Sequence, residues 1–428
     1  MLCWSNSVRP YRRLHSRHVK VQARSGGLRA LASRDFRLLW GSMVVSQVGN
    51  WMQLVANSWL LLQLTNSPFL LGLQGLFTSL PFIFCSIYGG ALADRVDRRK
   101  LLQITQALQI VSSAVQGILV WLGVIQVWQI YLFGALNWSI GGVDQAGRQA
   151  LLPTLVPRSD LSSAIALNSS VRRGAGIIGP ALGGLAVASL GLAGAYWLNA
   201  ATFLPLIASL AAMHISRGHL DAPRRSFAAA VVDGFRYARR QRLIFGLLSI
   251  EACTGIFASA QPIMAVFARD VFHVGAQGLG VLLSMLGIGS LIGTGVVIVA
   301  GSSLVHGRFI VLATLAATAA LIAFAMSKTY LLALGMLLVA GAFDMMAGTI
   351  RNSAVQLSVE DGYRGRIMSL LGIATRGVSP LGGLQAGGMA SLFGAPLAVI
   401  VGGLITLGWT TSTTLRVPEI MAFNESQL

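Results

Sequence analysis

Charged side chains set within long apolar stretches are the residues of this chain best suited to chemistry. Eight lie in segments that are otherwise uncharged: Asp144, Arg148, Arg172, Arg173, Glu251, Asp344, Arg351 and Arg376. Removal from water raises the pKa of a carboxylic acid toward the range in which it loads and releases protons. Glu251, and after it Asp344, are therefore the predicted proton-handling acids. The alternative for Glu251 is a fixed ion pair with Arg173 or Arg376, the two basic residues predicted nearest mid-membrane.

Amide side chains at near-helical spacing form a second candidate feature, with tryptophans close by. The residues concerned are Gln47, Asn50, Trp51, Gln53, Asn57 and Trp138. Unpaired amides facing lipid are expensive, so this stripe is expected to face protein or water. Two interpretations remain open. The amides bond neighbouring helices together, or they form one wall of a substrate cavity in which Trp51 or Trp138 stacks on an aromatic ligand.

The elements that carry these residues are membrane-spanning helices. The 428 residues are 54% hydrophobic and only 11% charged, with a mean hydropathy of +0.70, whereas soluble domains carry about 25% charged residues. No charged residue occurs from Leu38 to Ala93 or from Leu101 to Val143, and hydrocarbon is crossed by about 20 residues. The net charge of +18 is explained by cytoplasmic loops rich in Lys and Arg, rather than by nucleic-acid binding.

We predict an all-α membrane protein with twelve transmembrane helices in two pseudo-symmetric six-helix bundles. Spans 4 and 10 are predicted to end near Arg148 and Arg351. The parts in chain order are a basic cytoplasmic arm (1–35), the N-terminal bundle (36–214), a basic amphipathic linker (215–242), the C-terminal bundle (243–415) and a cytoplasmic tail (416–428). The outside links hold only the basic residues Arg269 and Lys328, which predicts both termini on the cytoplasmic side of the cell (inner) membrane.

The two halves repeat one another at an offset of 200 residues. Gly142-Val-Asp144 corresponds to Ala342-Phe-Asp344, and Pro180-Ala-Leu-Gly-Gly184 corresponds to Pro380-Leu-Gly-Gly383. Duplicated transporter folds hold their substrate near the midplane between the repeats. A charged turn, Gly89-Gly-Ala-Leu-Ala-Asp-Arg-Val-Asp-Arg-Arg-Lys100, separates the second and third spans.

That turn resembles motif A of the major facilitator superfamily, roughly G-x-L-A-D-R-x-G-R-[KR], in its expected position. Asp97 occupies the place where the motif usually has Gly. Several shorter stretches are similar to the branch that contains the enterobactin exporter and macrolide efflux proteins: Phe36-Arg-Leu-Leu-Trp40, Leu155-Val-Pro-Arg158, Ala166-Leu-Asn168 and Arg364-Gly-Arg-Ile-Met-Ser-Leu370. This resemblance implies proton-driven export of a bulky small molecule.

The resemblance also implies roles for two groups of residues. Gly89, Asp94, Arg95 and Arg98 belong to motif A, which is expected to latch the cytoplasmic side, with Arg98 paired to Asp144. The helix-kink motif is similar to the antiporter motif of the superfamily, with glycines that let helices approach closely; it comprises Gly179, Pro180, Gly183 and Gly184. The span-4 arginine of many proton antiporters is missing, because Arg148 comes too late in that span.

The sequence thus predicts a secondary active transporter, a proton-coupled exporter of a siderophore, macrolide or other hydrophobic compound that works by alternating access. An importer of the same fold and a non-transporting membrane sensor are the alternatives. No phosphate-binding loop or zinc motif occurs, so we expect no enzymatic activity, no metal and no cofactor beyond the proton gradient. The expected partners are a small-molecule substrate and the lipid bilayer, with the chain acting as a monomer.

Overall fold

The computed structural model describes residues 28–93, 95–213, 227–360 and 363–424. This part of the chain folds into helices joined by turns, with one isolated antiparallel bridge between His306 and Asn424. The first half, up to residue 213, contains α1 (Arg34–Thr65), α2 (Pro68–Ala93), α3 (Arg98–Trp121), α4 (Val127–Leu155), α5 (Leu161–Thr202) and α6 (Leu204–Ala212).

The second half, from residue 227, contains ten helices of very different length. They are α7 (Phe227–Arg240), α8 (Arg242–Phe257), α9 (Met264–Val266), α10 (Gly275–Ala300), α11 (Gly307–Met326), α12 (Tyr330–Ser358), α13 (Arg364–Gly372), α14 (Ser379–Phe393), α15 (Ala395–Arg416) and α16 (Glu419–Ala422). π-Helical turns at Phe267–Val271 and Ile373–Gly377 follow α9 and α13.

Nine helical segments of the described chain are long and apolar enough to cross a membrane. One of them, Arg158–Ala212, has 55 residues, and at 1.5 Å per residue it would extend roughly 80 Å, far more than one crossing needs. It is interrupted at Gly191, whose φ of 73° is non-helical. Helices α1 and α4 have 32 and 29 residues and are not among these nine segments.

Local sequence fixes where the first helices begin and end. Asn66 adopts the left-handed conformation, with φ of 50°, and its N–H donates to the Leu62 carbonyl to close α1. Asp97 is the N-cap of α3, because its carboxylate accepts from the backbone N–H groups of Arg99 and Lys100. The departure of Asp97 from the motif's usual glycine thus has a structural use.

The ends of the bundle differ in how the halves meet. We call the end that carries Asn66, Arg269 and Lys328 the far end, and the end that carries Arg98 and Arg364 the basic end. At the far end one buried apolar core draws on both halves, including Val55, Ala186, Ala265, Leu279 and Ala390. Toward the basic end the halves have separate cores, one around Phe36, Leu102 and Leu151 and one around Ile244, Ile310 and Ile350. The halves are therefore fastened together at the far end.

Helix contacts show the same division. Within the first half α1 packs on α5 and α2 on α4, and within the second half α12 packs on α10 and α11. Between the halves, α5 packs on α10 and α2 packs on α14. Helix α7 lies on the second half, where Tyr237 stacks on Tyr363 with ring centroids 4.2 Å apart, and Asp233 lies 3.8 Å from the guanidinium of Arg366.

Candidate functional site: a cavity between the halves

A cavity of about 230 Å³ lies between the halves, away from the basic loops. The first half contributes Trp51, Arg172, Arg173 and Gly176, and the second half contributes Gln261, Leu283, Leu286, Gly287, Ser290, Leu291 and Met345. Its wall thus combines an indole, two guanidinium groups, an amide, a hydroxyl and several apolar side chains. The lining residues include no acid.

Two glycines of α5 create the space that Trp51 occupies. A methyl group on Gly179 would lie 2.5 Å from Cβ of Trp51, and one on Gly176 would lie 3.3 Å from the Trp51 ring. Real side chains rarely approach so closely, so any larger residue at Gly179 would have to push α1 away. The helix-kink motif therefore seats Trp51 at the cavity wall. Backbone torsions of α5 depart from helical values at Gly191 rather than at Pro180.

The opposite face of α5 is equally close to α10. A methyl group on Gly184 would lie 2.5 Å from the Ala276 carbonyl oxygen, and one on Gly287 would lie 2.7 Å from the Gly176 carbonyl oxygen. Helices α2 and α14 meet in the same way, since a methyl group on Gly387 would lie 2.5 Å from the Pro68 carbonyl oxygen. These backbone-to-backbone contacts seal the cavity toward the far end.

Arg173 extends from α5 toward the second half. Its Nη1 donates to Thr294 Oγ1 at 2.7 Å and lies 3.6 Å from Met345 Sδ. Both partners belong to the second half, so Arg173 bridges the cavity. Arg376 lies in the π-helical turn of residues 373–377, and its side chain is outside the described residues.

Glu251 pairs with Arg351, whereas the alternative to a proton-handling role for Glu251 was an ion pair with Arg173 or Arg376. The carboxylate of Glu251 contacts Arg351 Nη2, and the two side chains are only 15% and 3% exposed. The predicted end of span 10 at Arg351 explains the error. Helix α12 continues to Ser358, so Arg351 lies about 10 Å before the end of the helix along its axis, at a depth similar to that of Glu251.

Asp144 likewise has a different partner from the predicted one. It forms an ion pair with Arg148 one turn further along α4 and accepts from Gln106 Nε2 at 2.6 Å and Thr105 Oγ1 at 3.1 Å. Arg98 is buried and donates to the Ala150 carbonyl at 3.0 Å. Asp144 pairs with Arg148 in this structure because α4 continues through Pro153 to Leu155 and carries Arg148 into the protein. The Arg98–Asp144 pair was predicted for the latched state and stays a prediction.

The remaining motif A residues lie around the start of α3. Gly89 packs against α4, where a methyl group would lie 2.7 Å from Cα of Val143. Arg95 is exposed. The predicted latch residue Asp94 lies outside the described residues.

The amide stripe divides into two groups. Gln53 and Asn57 are buried in a hydrogen-bond network inside the first half, away from the cavity wall. Gln53 donates to Gln116 at 2.7 Å, Asn199 donates to Gln53 at 2.5 Å, and Tyr196 donates to Asn57 at 2.6 Å. These two amides therefore bond neighbouring helices together, which was the first of the two interpretations.

Of the other predicted cavity residues, Trp51 lines the cavity, while Gln47 and Asn50 are half-buried outside its wall. Trp138 is exposed and meets Phe82 edge to face, with ring centroids 5.7 Å apart.

The sequence did not predict the uncharged residues that the second half contributes to the cavity wall. Gln261, Ser290 and Met345 carry no distinctive spacing, and only the folded arrangement brings them to Arg173. Asp344, the neighbour of Met345, is exposed on α12. Among the described residues no carboxylate lies within 4.0 Å of the Arg173 guanidinium, and no cluster of three or more metal-ligating side chains occurs.

Comparison with known proteins gives a consistent result. The Staphyloferrin A transporter of Staphylococcus aureus is 24% identical over 363 residues, covering 84% of this chain and 90% of that protein. The multidrug efflux pump Tap of Mycolicibacterium fortuitum is 24% identical, covering 83% and 89%. The enterobactin exporter EntS of Citrobacter koseri is 23% identical, covering 80% and 84%.

The fold is shared with solved transporters of low sequence similarity. A POT family transporter crystallised with 5-aminolevulinic acid superposes with a TM-score of 0.69 at 11% identity, covering 91% of this chain and 97% of that one. Residues 25–427 match the family described as transmembrane secretion effector. The chain therefore belongs to this family of the major facilitator superfamily, and it is a multi-pass membrane transporter rather than an enzyme.

Proposed function

We propose that the protein is a proton-coupled exporter of a bulky small molecule that works by alternating access. The observation that carries this proposal is the cavity between the halves, bridged by Arg173 and sealed on one side by the α5–α10 and α2–α14 contacts. A transporter must close one side of its site while the other side can open, and transporter sites of duplicated folds lie between the repeats.

The proposed architecture is twelve crossings in two six-helix bundles, residues 36–214 and 243–415, joined by the linker 215–242. Three observations support this number. Nine segments are long and apolar enough to cross a membrane, and Gly191 divides one of them, Arg158–Ala212, into two. Helices α1 and α4 are long enough to add two more crossings. Basic residues concentrate in the loops of one end, so we assign that end and both termini to the cytoplasm, in the cell membrane. We expect the chain to act as a monomer.

On that assignment the structure corresponds to a state closed toward the outside. Separate apolar cores at the basic end support this interpretation, because only the far end has a core that both halves share. The motif A latch, to which Asp94 and Arg98 belong, would act in the opposite state, when the basic end closes.

Energy coupling is proposed to use Glu251, with Asp344 as the second candidate. The Glu251–Arg351 pair joins α8 to α12 and is nearly shielded from water. Protonation of Glu251 would remove its negative charge and leave the Arg351 charge buried without its counter-ion, which is strongly unfavourable. Proton loading would therefore favour an arrangement in which these helices separate.

The proposed substrate class is a siderophore, a macrolide or another hydrophobic compound, in line with the relatives that are named for siderophores or for drug efflux. Cells with and without the protein are loaded with a catecholate siderophore or a macrolide, and retention is followed before and after an uncoupler collapses the proton gradient. Export predicts lower retention in expressing cells, abolished by the uncoupler. Higher retention would indicate an importer, and equal retention of all compounds tested would contradict the proposal.

A matched pair of variants connects this assay to the mechanism. Glu251→Gln removes the proposed coupling acid, whereas Glu360→Gln neutralises an exposed acid beyond the end of α12. Efflux in the first variant should lose its dependence on the proton gradient, and efflux in the second should keep it.

A further inference from the structure

Among the described residues the polar partners of Arg173 are neutral. Its guanidinium donates to the hydroxyl of Thr294 and contacts the thioether of Met345. No carboxylate of the described residues lies within 4.0 Å of it. Thr294 Oγ1 also donates to the Ser290 carbonyl, so Thr294 positions Arg173 without balancing its charge.

Arg173 is exposed, and a charged group in the membrane-spanning part of a protein normally faces a cavity or an opposite charge. The nearby acids do not fill this role. Glu251 is occupied by Arg351, and Asp344 forms no ion pair with Arg173 although it is adjacent in sequence to Met345. No lining residue of the cavity is an acid, so Arg173 contributes a positive charge to its wall.

The remaining wall suits an aromatic group. Trp51 packs directly against Gly176 and Gly179 of α5. It therefore cannot move closer to that helix and stays at the cavity wall. An indole presents a large flat surface for stacking on a ring, and arginine binds planar carboxylates through paired donors. A cavity of about 230 Å³ is smaller than the 300–1,000 Å³ typical of drug-sized ligands, so it fits one ring-bearing acidic group of a larger molecule.

We propose that the cavity is an anion-selective site in which Arg173 binds an acidic group of the substrate while an attached aromatic ring lies on Trp51. The substrate class is thus an aromatic carboxylate, or a phenolate of similar shape. This inference rests on the proposed function, in that the ligand is taken to be the transported molecule, but binding can be measured without transport.

The experiment uses the full chain in lipid nanodiscs and three ligands that share one ring system. They are 2-naphthoate, 2-naphthamide and 2-naphthylmethylammonium, with charges of −1, 0 and +1 at pH 7.5. Equilibrium dialysis measures their dissociation constants. We expect 2-naphthoate to bind roughly tenfold or more tightly than the amide, since hydrogen bonds to charged groups are about twice as strong as neutral ones.

Four variants assign the charge preference. Arg173→Gln should abolish the preference for 2-naphthoate, Arg173→Lys should keep part of it, and Trp51→Ala should weaken all three ligands alike. Arg158→Gln, which removes an exposed arginine outside the cavity wall, is the matched control and should leave the preference unchanged. Thermal unfolding of each variant confirms that it is folded.

Several outcomes would overturn the inference: equal binding of 2-naphthoate and the amide by the unmodified chain, an unchanged preference in folded Arg173→Gln, or no binding of any of the three. These results differ from failure of the proposed function. Arg173-dependent naphthoate binding without proton-driven efflux would leave the anion site standing and reject the exporter. Proton-driven efflux together with equal binding of the three ligands would support the exporter and reject the anion site.

Discussion

Arg269 joins the two halves at the far end, and its removal should open that end. Its Nη1 donates to the Leu62 carbonyl at 3.1 Å and to Asn66 Oδ1 at 2.6 Å. Both acceptors belong to the C-terminal end of α1, where the helix dipole favours a cation. Neighbouring Asp270 accepts from the other guanidinium nitrogens at 2.6 and 3.0 Å and holds the group in place.

The size of the effect follows from these contacts. Hydrogen bonds to a charged group contribute about 1.5–3 kcal/mol each, but the Arg269 side chain is 27% exposed, and solvent weakens such pairs. We therefore expect Arg269→Ala to destabilise the far-end-closed arrangement by about 1–2 kcal/mol, which shifts the balance of states by roughly 5–30-fold.

Spin labels at Val124 and Ser391, exposed positions near the far end of the first and second halves, report this shift as a distance distribution in nanodiscs. Arg269→Ala should increase the long-distance population. Lys328→Ala is the matched control, because it removes another basic residue from the same end. Identical distributions for Arg269→Ala and the parent would refute the reasoning. An equal shift from Lys328→Ala would show that net charge, and not the hydrogen bonds to α1, controls the far end.

Three further predictions concern residues already placed in the structure or sequence. Glu251→Gln should lower the unfolding temperature, because it leaves the Arg351 charge buried without its counter-ion, and its efflux should no longer respond to an imposed pH gradient; an unchanged response in folded protein excludes Glu251 from coupling. Asp94→Asn should lower the initial rate of transport with normal membrane insertion, through loss of the proposed latch, and a normal rate would count against it. Gly179→Ala should destabilise the protein by about 1–3 kcal/mol through overpacking against Trp51, seen as a lower unfolding temperature in detergent. Gly174→Ala, where nothing lies within 4 Å, should instead be stabilising by about 0.5–1 kcal/mol, and a similar loss in both variants would contradict the packing argument.

The membrane-spanning class, the family and the position of Trp51 could be predicted from sequence, and each has a local cause. Long uncharged runs can only be membrane helices in a chain of this composition. Motif A is specific in both residues and position. Trp51 could be proposed as a cavity residue because it lies beside amides that must face protein or water. The same reasoning placed Trp138, Gln53 and Asn57 with it, yet Trp138 is exposed and the two amides belong to an internal network.

Ion-pair partners were harder to predict, because they depend on where helices end. The sequence predicted that spans 4 and 10 end near Arg148 and Arg351, yet α4 and α12 each continue for seven more residues. Pro153 is accommodated within α4 near its end. Seven residues correspond to about 10 Å of helix, enough to move an arginine from the membrane surface to a buried acid.

The two buried acid–arginine pairs differ in a way that bears on coupling. Asp144 and Arg148 lie one turn apart on α4, so their distance stays fixed however that helix moves as a rigid body. Glu251 and Arg351 lie on α8 and α12, so their contact changes whenever these helices shift relative to one another. A pair of the second kind links the protonation of an acid directly to the ion pair that holds two helices together, and a proton shifts an equilibrium only by binding its states differently. We therefore expect the coupling proton to bind in the second half, at Glu251, and Asp144→Asn to lower stability while efflux stays dependent on the proton gradient.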